Sequence, residues 1–216
     1  MKRLNAEAEA KTAQLGMLQY QLNPHFLFNT LNSISALVKF KETRKAQKMI
    51  TQLGDFLRYS LDNDPAKKIT LQQEIDALMV YLDIEKTRFG DRLDLQFDID
   101  ENASFAQVPS LLLQPLAENS IKHAIGANED GGAIKLIARV VGDELLIDLN
   151  DTGPGKQIDL PPPKPGRRVG LHNTLQRLKT LYDEAYTFDI SLHSSGGLNI
   201  NIRIPYEPVQ AKDDQA

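Results

Sequence analysis

The chain has 216 residues, of which 41% are hydrophobic and 25% are charged, and it contains no cysteine. These proportions are those of an ordinary globular protein, and they exclude a wholly disordered or low-complexity chain. The lack of cysteine excludes disulfides, thiolate metal sites and a cysteine nucleophile. Because the formal net charge is −4, the chain offers no general attraction to nucleic acid, and we expect no direct nucleic acid binding.

A charge-free run covers residues 12–38, although a quarter of the whole chain is charged. The length suggests a membrane span, but the run holds many amides and hydroxyls, which are costly in hydrocarbon. Apolar residues recur at helical spacing from Leu15 to Phe26. We therefore predict a helix that protein buries on more than one side. Pro24 lacks a backbone donor, so we also predict a kink near Asn23.

Two further helices are predicted before the apolar spacing changes from that of helices to that of strands. The first runs from about Thr43 to Leu61 and carries an apolar stripe, with an Asn-Asp-Pro turn after it. The second begins at Thr70, where Thr70 and Glu74 approximate a capping box. Gly90 follows its last apolar residue and predicts its end.

The pattern then alternates with a period of two, which predicts half-buried strands. The predicted strands are Leu93–Ile99, Ile134–Val140, Leu145–Leu149, Phe188–Leu192 and Leu198–Ile204. Such strands form a largely antiparallel sheet with one covered face. Helices from about Ser110 to Ala124 and from Gly170 to Tyr182 supply the covering layer.

The predicted fold class is α+β, with a helical N-terminal part followed by an α/β sandwich. We place the helical domain at residues 1–65, the sandwich at residues 66–206 and a flexible polar tail at residues 207–216. A long loop at residues 153–169 is rich in proline, glycine and basic residues. Loops of this length inside a domain are usually functional lids or disordered, and the basic residues favour a lid over an anion.

Three blocks occur in a fixed order: QLNPHFLFNTLN at residues 21–32, PLAENSIKHA at 115–124, and DTGPG at 151–155 followed by GLHN at 170–173. Together they resemble the catalytic core of the LytS/YehU-type sensor histidine kinases. The first resembles the phosphoacceptor segment, the second the N box, and the third the glycine boxes of the Bergerat ATP-binding fold of the GHKL type. The segment YLDIEKTRFGDR at residues 81–92 also resembles a family signature.

The resemblance implies ATP-dependent autophosphorylation of His25, followed by transfer of the phosphoryl group to an aspartate of a response-regulator receiver domain. A neutral imidazole with a pKa of ~6.5 keeps a lone pair for that attack. Asn29, one helical turn later, is implied to orient water for dephosphorylation of the regulator. The N-terminal hairpin is implied to form a homodimer as a four-helix bundle.

The same resemblance implies a site for ATP and Mg²⁺ in residues 66–206. Asn119 is the implied Mg²⁺ ligand, Lys122 the implied phosphate contact, and Asp151 the implied acceptor for the adenine amine. His123 is placed only near the nucleotide. The other implied nucleotide-binding residues are Gly153, Gly155, Arg168, Gly170 and Leu171.

Several positions depart from the family pattern. Pro115 stands where ATP-hydrolysing members of this fold carry a glutamate; Glu118 is then either the catalytic base or a surface carboxylate. Arg168 replaces a glycine, and Leu198 replaces a threonine that helps to hold adenine. Two alternatives therefore stay open: a catalytically weak nucleotide-binding scaffold for a response regulator, and a Bergerat-fold ATPase.

The resemblance also implies where such a chain operates. Family members usually carry membrane helices or a sensory domain upstream of the phosphoacceptor segment. We therefore expect the chain to be the cytoplasmic portion of a bacterial sensor anchored in the inner membrane, with that upstream segment absent from this chain.

Overall fold

The computed structural model describes residues 23–62, 67–126, 128–153, 169–193 and 196–209. Within them the chain divides into two units, one with residues 23–62 and 80–88 and the other with residues 67–79 and 89–209. The predicted boundary near residue 65 separates the same N-terminal helices. In the structure, however, residues 80–88 group with those helices.

Helix α1, Pro24–Lys39, begins at the first block. Asn23 has extended backbone, and its side-chain oxygen accepts a hydrogen bond from the backbone N–H of Phe26 at 3.3 Å. Proline is favoured at the first helical position because its missing N–H would have no partner there. In the described residues, Pro24 thus starts a helix and does not kink one; the apolar stretch before residue 23 lies outside them.

Only one face of α1 is buried in the single chain. Phe26, Thr30 and Ile34 are buried, whereas Phe28 and Leu31 are more than half exposed. The single chain buries one face of this helix, and the expectation that protein buries a second face stays a prediction.

Helix α2, Thr43–Asp62, has the predicted bounds to within a residue and buries Met49 and Phe56. The ring of Phe26 lies 4.9 Å from that of Phe56 and 5.0 Å from that of Tyr81. These three aromatic side chains form the core of the first unit.

Helix α3, Leu71–Phe89, starts at a true capping box. The N–H of Gln73 donates to Thr70 Oγ1 at 3.1 Å, and the N–H of Thr70 donates to Gln73 Oε1 at 3.0 Å. The prediction that Glu74 completes this box is wrong, because the partner is one residue earlier. The helix ends at Gly90 as predicted, where a positive φ of 61° leads into a 3₁₀ turn.

Seven strands lie in the second unit. They are β1 Lys68–Thr70, β2 Leu93–Ile99, β3 Gln107–Pro109, β4 Gly132–Val141, β5 Glu144–Asp151, β6 Thr187–Leu192 and β7 Leu198–Pro205. The main sheet has the order β2-β4-β5-β7-β6, in which β2 is parallel to β4 and the other pairs are antiparallel. Strands β1 and β3 form a separate pair, and helix α4, Glu101–Ser104, is one turn long. Sequence reasoning missed these three elements because they are too short to show periodicity.

Two helices complete the second unit. Helix α5, Gln114–Ser120, continues into a π-helical turn, Ile121–Ile125, and helix α6 is Val169–Tyr182. The predicted helix start at Ser110 is wrong, because residues 110–113 form a turn in which Leu111 has a φ of 58°. The predicted α+β class with an α/β sandwich is confirmed.

Residues 207–209 are tied to the second unit. The backbone N–H of Gln107 donates to the carbonyl of Glu207, and the N–H of Val209 donates to the carbonyl of Phe105. Lys68 forms an ion pair with Glu207 at 2.7 Å. Residues 207–209 thus have backbone and ion-pair contacts, residues 210–216 lie outside the described residues, and the flexible tail at residues 207–216 stays a prediction. None of the helices in the described ranges has the length and apolarity to cross a bilayer.

Candidate functional site

His25 is exposed on the first turn of α1. Its neighbour Phe26 is buried in the aromatic core, so the side chain of His25 points away from that core. The side-chain nitrogen of Asn29 lies 3.0 Å from Nδ1 of His25 and 3.4 Å from its Nε2. The structure thus brings the two predicted residues of this unit together and leaves the imidazole open to reaction.

The carboxylate of Asp151 accepts hydrogen bonds from three segments of the second unit, and we call it the hub of that unit. Asp151 lies at the end of β5 and is 6% exposed. Its Oδ1 accepts hydrogen bonds from the backbone N–H groups of Gly153 and Leu198, both at 3.1 Å. Its Oδ2 accepts from the hydroxyl of Ser120 at 2.9 Å. One carboxylate therefore joins the loop after β5, the start of β7 and the end of α5.

Glycines let the backbone close around this hub. A Cβ at Gly153 would lie 2.5 Å from the Cβ of Ala124, closer than real side chains come. Gly197 has a φ of 89°, and a Cβ there would collide with the carbonyl of Asp151. Both positions hold a backbone approach that only glycine permits.

Sequence reasoning missed Ser120 and the role of Leu198. Leu198 is buried and contributes its backbone N–H to Asp151, a role that any residue except proline could fill. Ser120 directly follows Asn119 and lies four residues after Leu116 and four before Ala124, and this helical spacing from apolar residues is the sequence signal for its burial. The replacement of threonine by leucine therefore leaves the hydrogen-bonded hub intact.

Asn119 is half-buried on α5. Among the described residues its side-chain Nδ2 is buried and has no hydrogen-bond partner, so its amide oxygen is the end available to a ligand. Gln114 donates to Oε1 of the half-buried Glu118 at 2.8 Å. Lys122 and His123 are exposed on the π-helical turn, which closes where the N–H of Gly126 donates to the carbonyl of Ile121. Single π turns inside helices are frequent at functional sites.

The remaining predicted residues belong to the segment after β5. Gly170 lies in the first turn of α6, and Leu171 is buried one residue later. Gly155 and Arg168 lie outside the described residues. His25 and Asn29 belong to the first unit, and the described nucleotide-binding candidates belong to the second.

The side-chain oxygens present here suit a metal ion that binds together with the phosphates of a substrate. Within the ranges that the structure describes, no cluster of three or more His, Asp or Glu residues could hold a metal ion by itself. Mg²⁺ commonly takes one or two protein ligands, with substrate phosphates and water completing its shell. The available amide oxygen of Asn119 fits that pattern, whereas a pre-formed all-protein metal cage is not seen in those ranges.

Comparison with known proteins shows sequence similarity to histidine kinases. The model of the histidine kinase family matches residues 13–93. The chain is 32% identical over 205 residues to the sensor protein LytS of Enterococcus faecalis, covering 91% of this chain and 35% of LytS. It is 36% identical over 215 residues to the sensor histidine kinase YesM of Bacillus subtilis, covering 95% of this chain and 37% of YesM. The chain therefore spans about a third of the length of these curated relatives.

The fold agrees with that assignment. The catalytic domain of the histidine kinase ThkA, in a nucleotide-free form, superposes with a TM-score of 0.53 at 14% identity, covering 66% of this chain and 98% of that domain. At this identity the likeness shows the fold alone. In sequence the chain is thus similar to histidine kinases, in particular to sensor kinases of the LytS and YesM type, and its fold agrees with that similarity.

Proposed function

We propose that this chain is the catalytic core of a two-component sensor kinase, which phosphorylates itself on His25 with ATP and passes the phosphoryl group to an aspartate of a receiver domain. The observation that carries the proposal is the exposed imidazole of His25 beside Asn29, on a turn that the buried Phe26 anchors. A ring nitrogen forms the new N–P bond to the γ-phosphorus, the bond to the bridging oxygen breaks, and ADP leaves. The half-buried Glu118 is the candidate base of this step.

The hub of the second unit supports a binding site for adenine. Oδ2 of Asp151 receives one hydrogen bond in the structure, from Ser120, and therefore has capacity to accept a second from the exocyclic amine. The close approach of Gly153 to Ala124, which only glycine permits, fixes the start of the loop after β5 beside this carboxylate.

The phosphates would lie toward the end of α5 and the start of α6. Asn119 would ligate Mg²⁺, which neutralises phosphate charge when bound. The exposed Lys122 would contact a phosphate, and the exposed His123 would lie near the nucleotide. Gly155, Arg168, Gly170 and Leu171 complete the proposed contacts, with backbone N–H groups at the start of α6 suited to an anion.

Pairing and location follow from the same proposal. The exposed apolar side chains of Phe28, Leu31 and Val38 on α1 offer a surface for a second copy of the chain, which supports a homodimer. Because the chain spans about a third of its sensor relatives, we place it as the cytoplasmic part of a longer, membrane-anchored sensor.

The experiment is incubation with γ-labelled ATP and Mg²⁺, comparing the wild type with His25→Gln. The wild type should acquire acid-labile label, and His25→Gln should acquire none. His193→Gln is the matched control, because His193 is also exposed and should keep full labelling. Equal label in the wild type and His25→Gln contradicts the proposal.

The two alternatives give different results in that experiment. Nucleotide binding without any phosphoprotein would indicate a scaffold for a response regulator. Steady phosphate release without phosphoprotein would indicate an ATPase.

A further inference from the structure

The helical segment that carries Asn119 and Lys122 is held at both ends by charged side chains from other elements. At its start lies the carboxylate of Glu74, from α3, which is 1% exposed. It accepts the backbone N–H of Leu111 at 2.9 Å and that of Leu113 at 2.8 Å. These two N–H groups immediately precede α5, so the carboxylate holds the point where the helix begins.

The carbonyl groups of the same turn are held by Arg177 of α6. Its guanidinium donates to the backbone carbonyls of Ser110 and Leu111, the latter at 3.0 Å. Leu111 has a φ of 58°, a left-handed conformation that is uncommon for residues other than glycine. Such backbone persists where its surroundings over-determine it, and here Glu74 and Arg177 do so from the two sides.

The far end of the segment is held by Arg92, which lies in the turn after α3. Its guanidinium donates to the carbonyl of Ile125 at 3.4 Å and also to the carbonyl of Asn128. A Cβ at Gly131 would lie 2.6 Å from the Cα of Arg92, so the backbone of this loop packs closely on that residue. The positive charge of Arg92 thus lies at the end of the segment, where the helix dipole favours a cation.

Burying a carboxylate destabilises a fold through the loss of its hydration, so other contacts must offset that penalty. Apolar residues of similar volume are often at least as stabilising as buried charges. A carboxylate can, however, accept two N–H groups at once in a set direction, which an apolar side chain cannot do. The buried carboxylate is therefore better explained by the fixed position that it gives to the backbone before α5 than by a contribution to the stability of the fold.

We infer that Glu74, Arg177 and Arg92 are positioning residues that set the placement of Asn119 and Lys122 for the nucleotide. None of the three is assigned a contact with the nucleotide, and the inference rests on the proposed function of this site. Residues that support a metal ligand from behind typically change affinity or activity by about 10- to 100-fold when replaced.

The test uses the full chain with two variants and a matched control. Arg92→Met removes the donors to the end of the segment at an exposed residue, so folding is retained. Glu74→Gln replaces one acceptor oxygen with a donor, so it cannot accept from both Leu111 and Leu113. Arg139→Met is the control, because Arg139 makes ion pairs with Asp98 and Asp100 at the opposite end of β4 from the position paired with Asp151.

Two measurements are made on protein that is fully folded at the working temperature. Hydrogen exchange of the nucleotide-free chain should accelerate at residues 114–125 in both variants, while the control matches the wild type. The dissociation constant for a non-hydrolysable ATP analogue with Mg²⁺ should rise about 10- to 100-fold in the variants only.

The outcomes separate the inference from the proposed function. If the wild type binds the analogue and both folded variants bind it equally well, the inference is overturned and the proposed function stands. If a variant loses only thermal stability, its role is structural and the inference is again overturned. If the wild type itself binds no nucleotide, both fall together.

Discussion

Glu74 shows how a single buried group can carry a pH dependence. Burial raises the pKa of its carboxyl, and the backbone N–H groups of Leu113 and Leu111 and the charge of Arg177 only partly oppose this. An acid whose folded pKa is raised contributes its full stability below its unfolded pKa, about 4.3. That contribution is lost as the pH rises through the raised folded value.

We therefore expect the wild type to lose stability relative to Glu74→Gln as the pH rises from about 4.3 toward neutrality. Urea unfolding of both proteins at a series of pH values measures the difference in the free energy of unfolding. A difference that grows in favour of the wild type with rising pH would show that the hydrogen bonds outweigh desolvation.

Asn29 is expected to act in dephosphorylation of the regulator, besides its contact with the ring of His25. Its amide reaches the ring of His25, so the same amide can orient a water molecule at a receiver domain docked there. Asn29→Ala should slow dephosphorylation of the phosphorylated regulator by about 100-fold, because loss of positioning can cost that much. Asn32→Ala, an exposed residue of the same helix, is the control. A normal dephosphorylation rate in Asn29→Ala would disprove this role.

At the scale of elements, Asp151 links the loop after β5 with β7 and α5. A change at its carboxylate can therefore alter nucleotide binding with little effect on folding. Asp151→Asn keeps an oxygen for the N–H groups of Gly153 and Leu198, and Ser120 can turn its hydroxyl to accept from the new amide. The acceptor proposed for the adenine amine is lost. We expect stability within about 1 kcal/mol of the wild type and ATP affinity reduced at least about tenfold.

Calorimetric binding of ATP and of inosine triphosphate, which lacks the exocyclic amine, measures this effect. The wild type should prefer ATP, and Asp151→Asn should lose that preference while keeping its affinity for the inosine nucleotide. A variant that still prefers ATP would show that another group reads the amine.

Helix boundaries show what local sequence predicts and what it does not. The end of α3 at Gly90 was predicted because a glycine with positive φ acts within one turn of chain. The capping partner at Thr70 was misassigned to Glu74, because the true partner, Gln73, is an equally polar neighbour one residue away. The start of α5 was misplaced at Ser110, because the left-handed turn at Leu111 depends on Glu74 and Arg177, far away in the chain.

At the scale of the whole molecule, neither unit is one continuous stretch of the chain. The first combines the N-terminal helices with residues 80–88, because Tyr81 packs on Phe26 and Phe56. The second unit includes residues 207–209, which a polar composition alone predicted to be flexible. Both assignments depend on contacts between residues more than twenty positions apart, which periodicity does not report.

The amino-acid sequence alone predicts the order and type of the longer elements and contains the three blocks that resemble those of histidine kinases. These signals are local, because helix and strand periods, caps and turns depend on neighbours within a few residues. Which distant groups donate to the carboxylates of Glu74 and Asp151 depends on the tertiary structure. Apart from the N–H of Gly153, these donors lie 31 to 47 residues away, and packing of the whole unit brings them within hydrogen-bond distance.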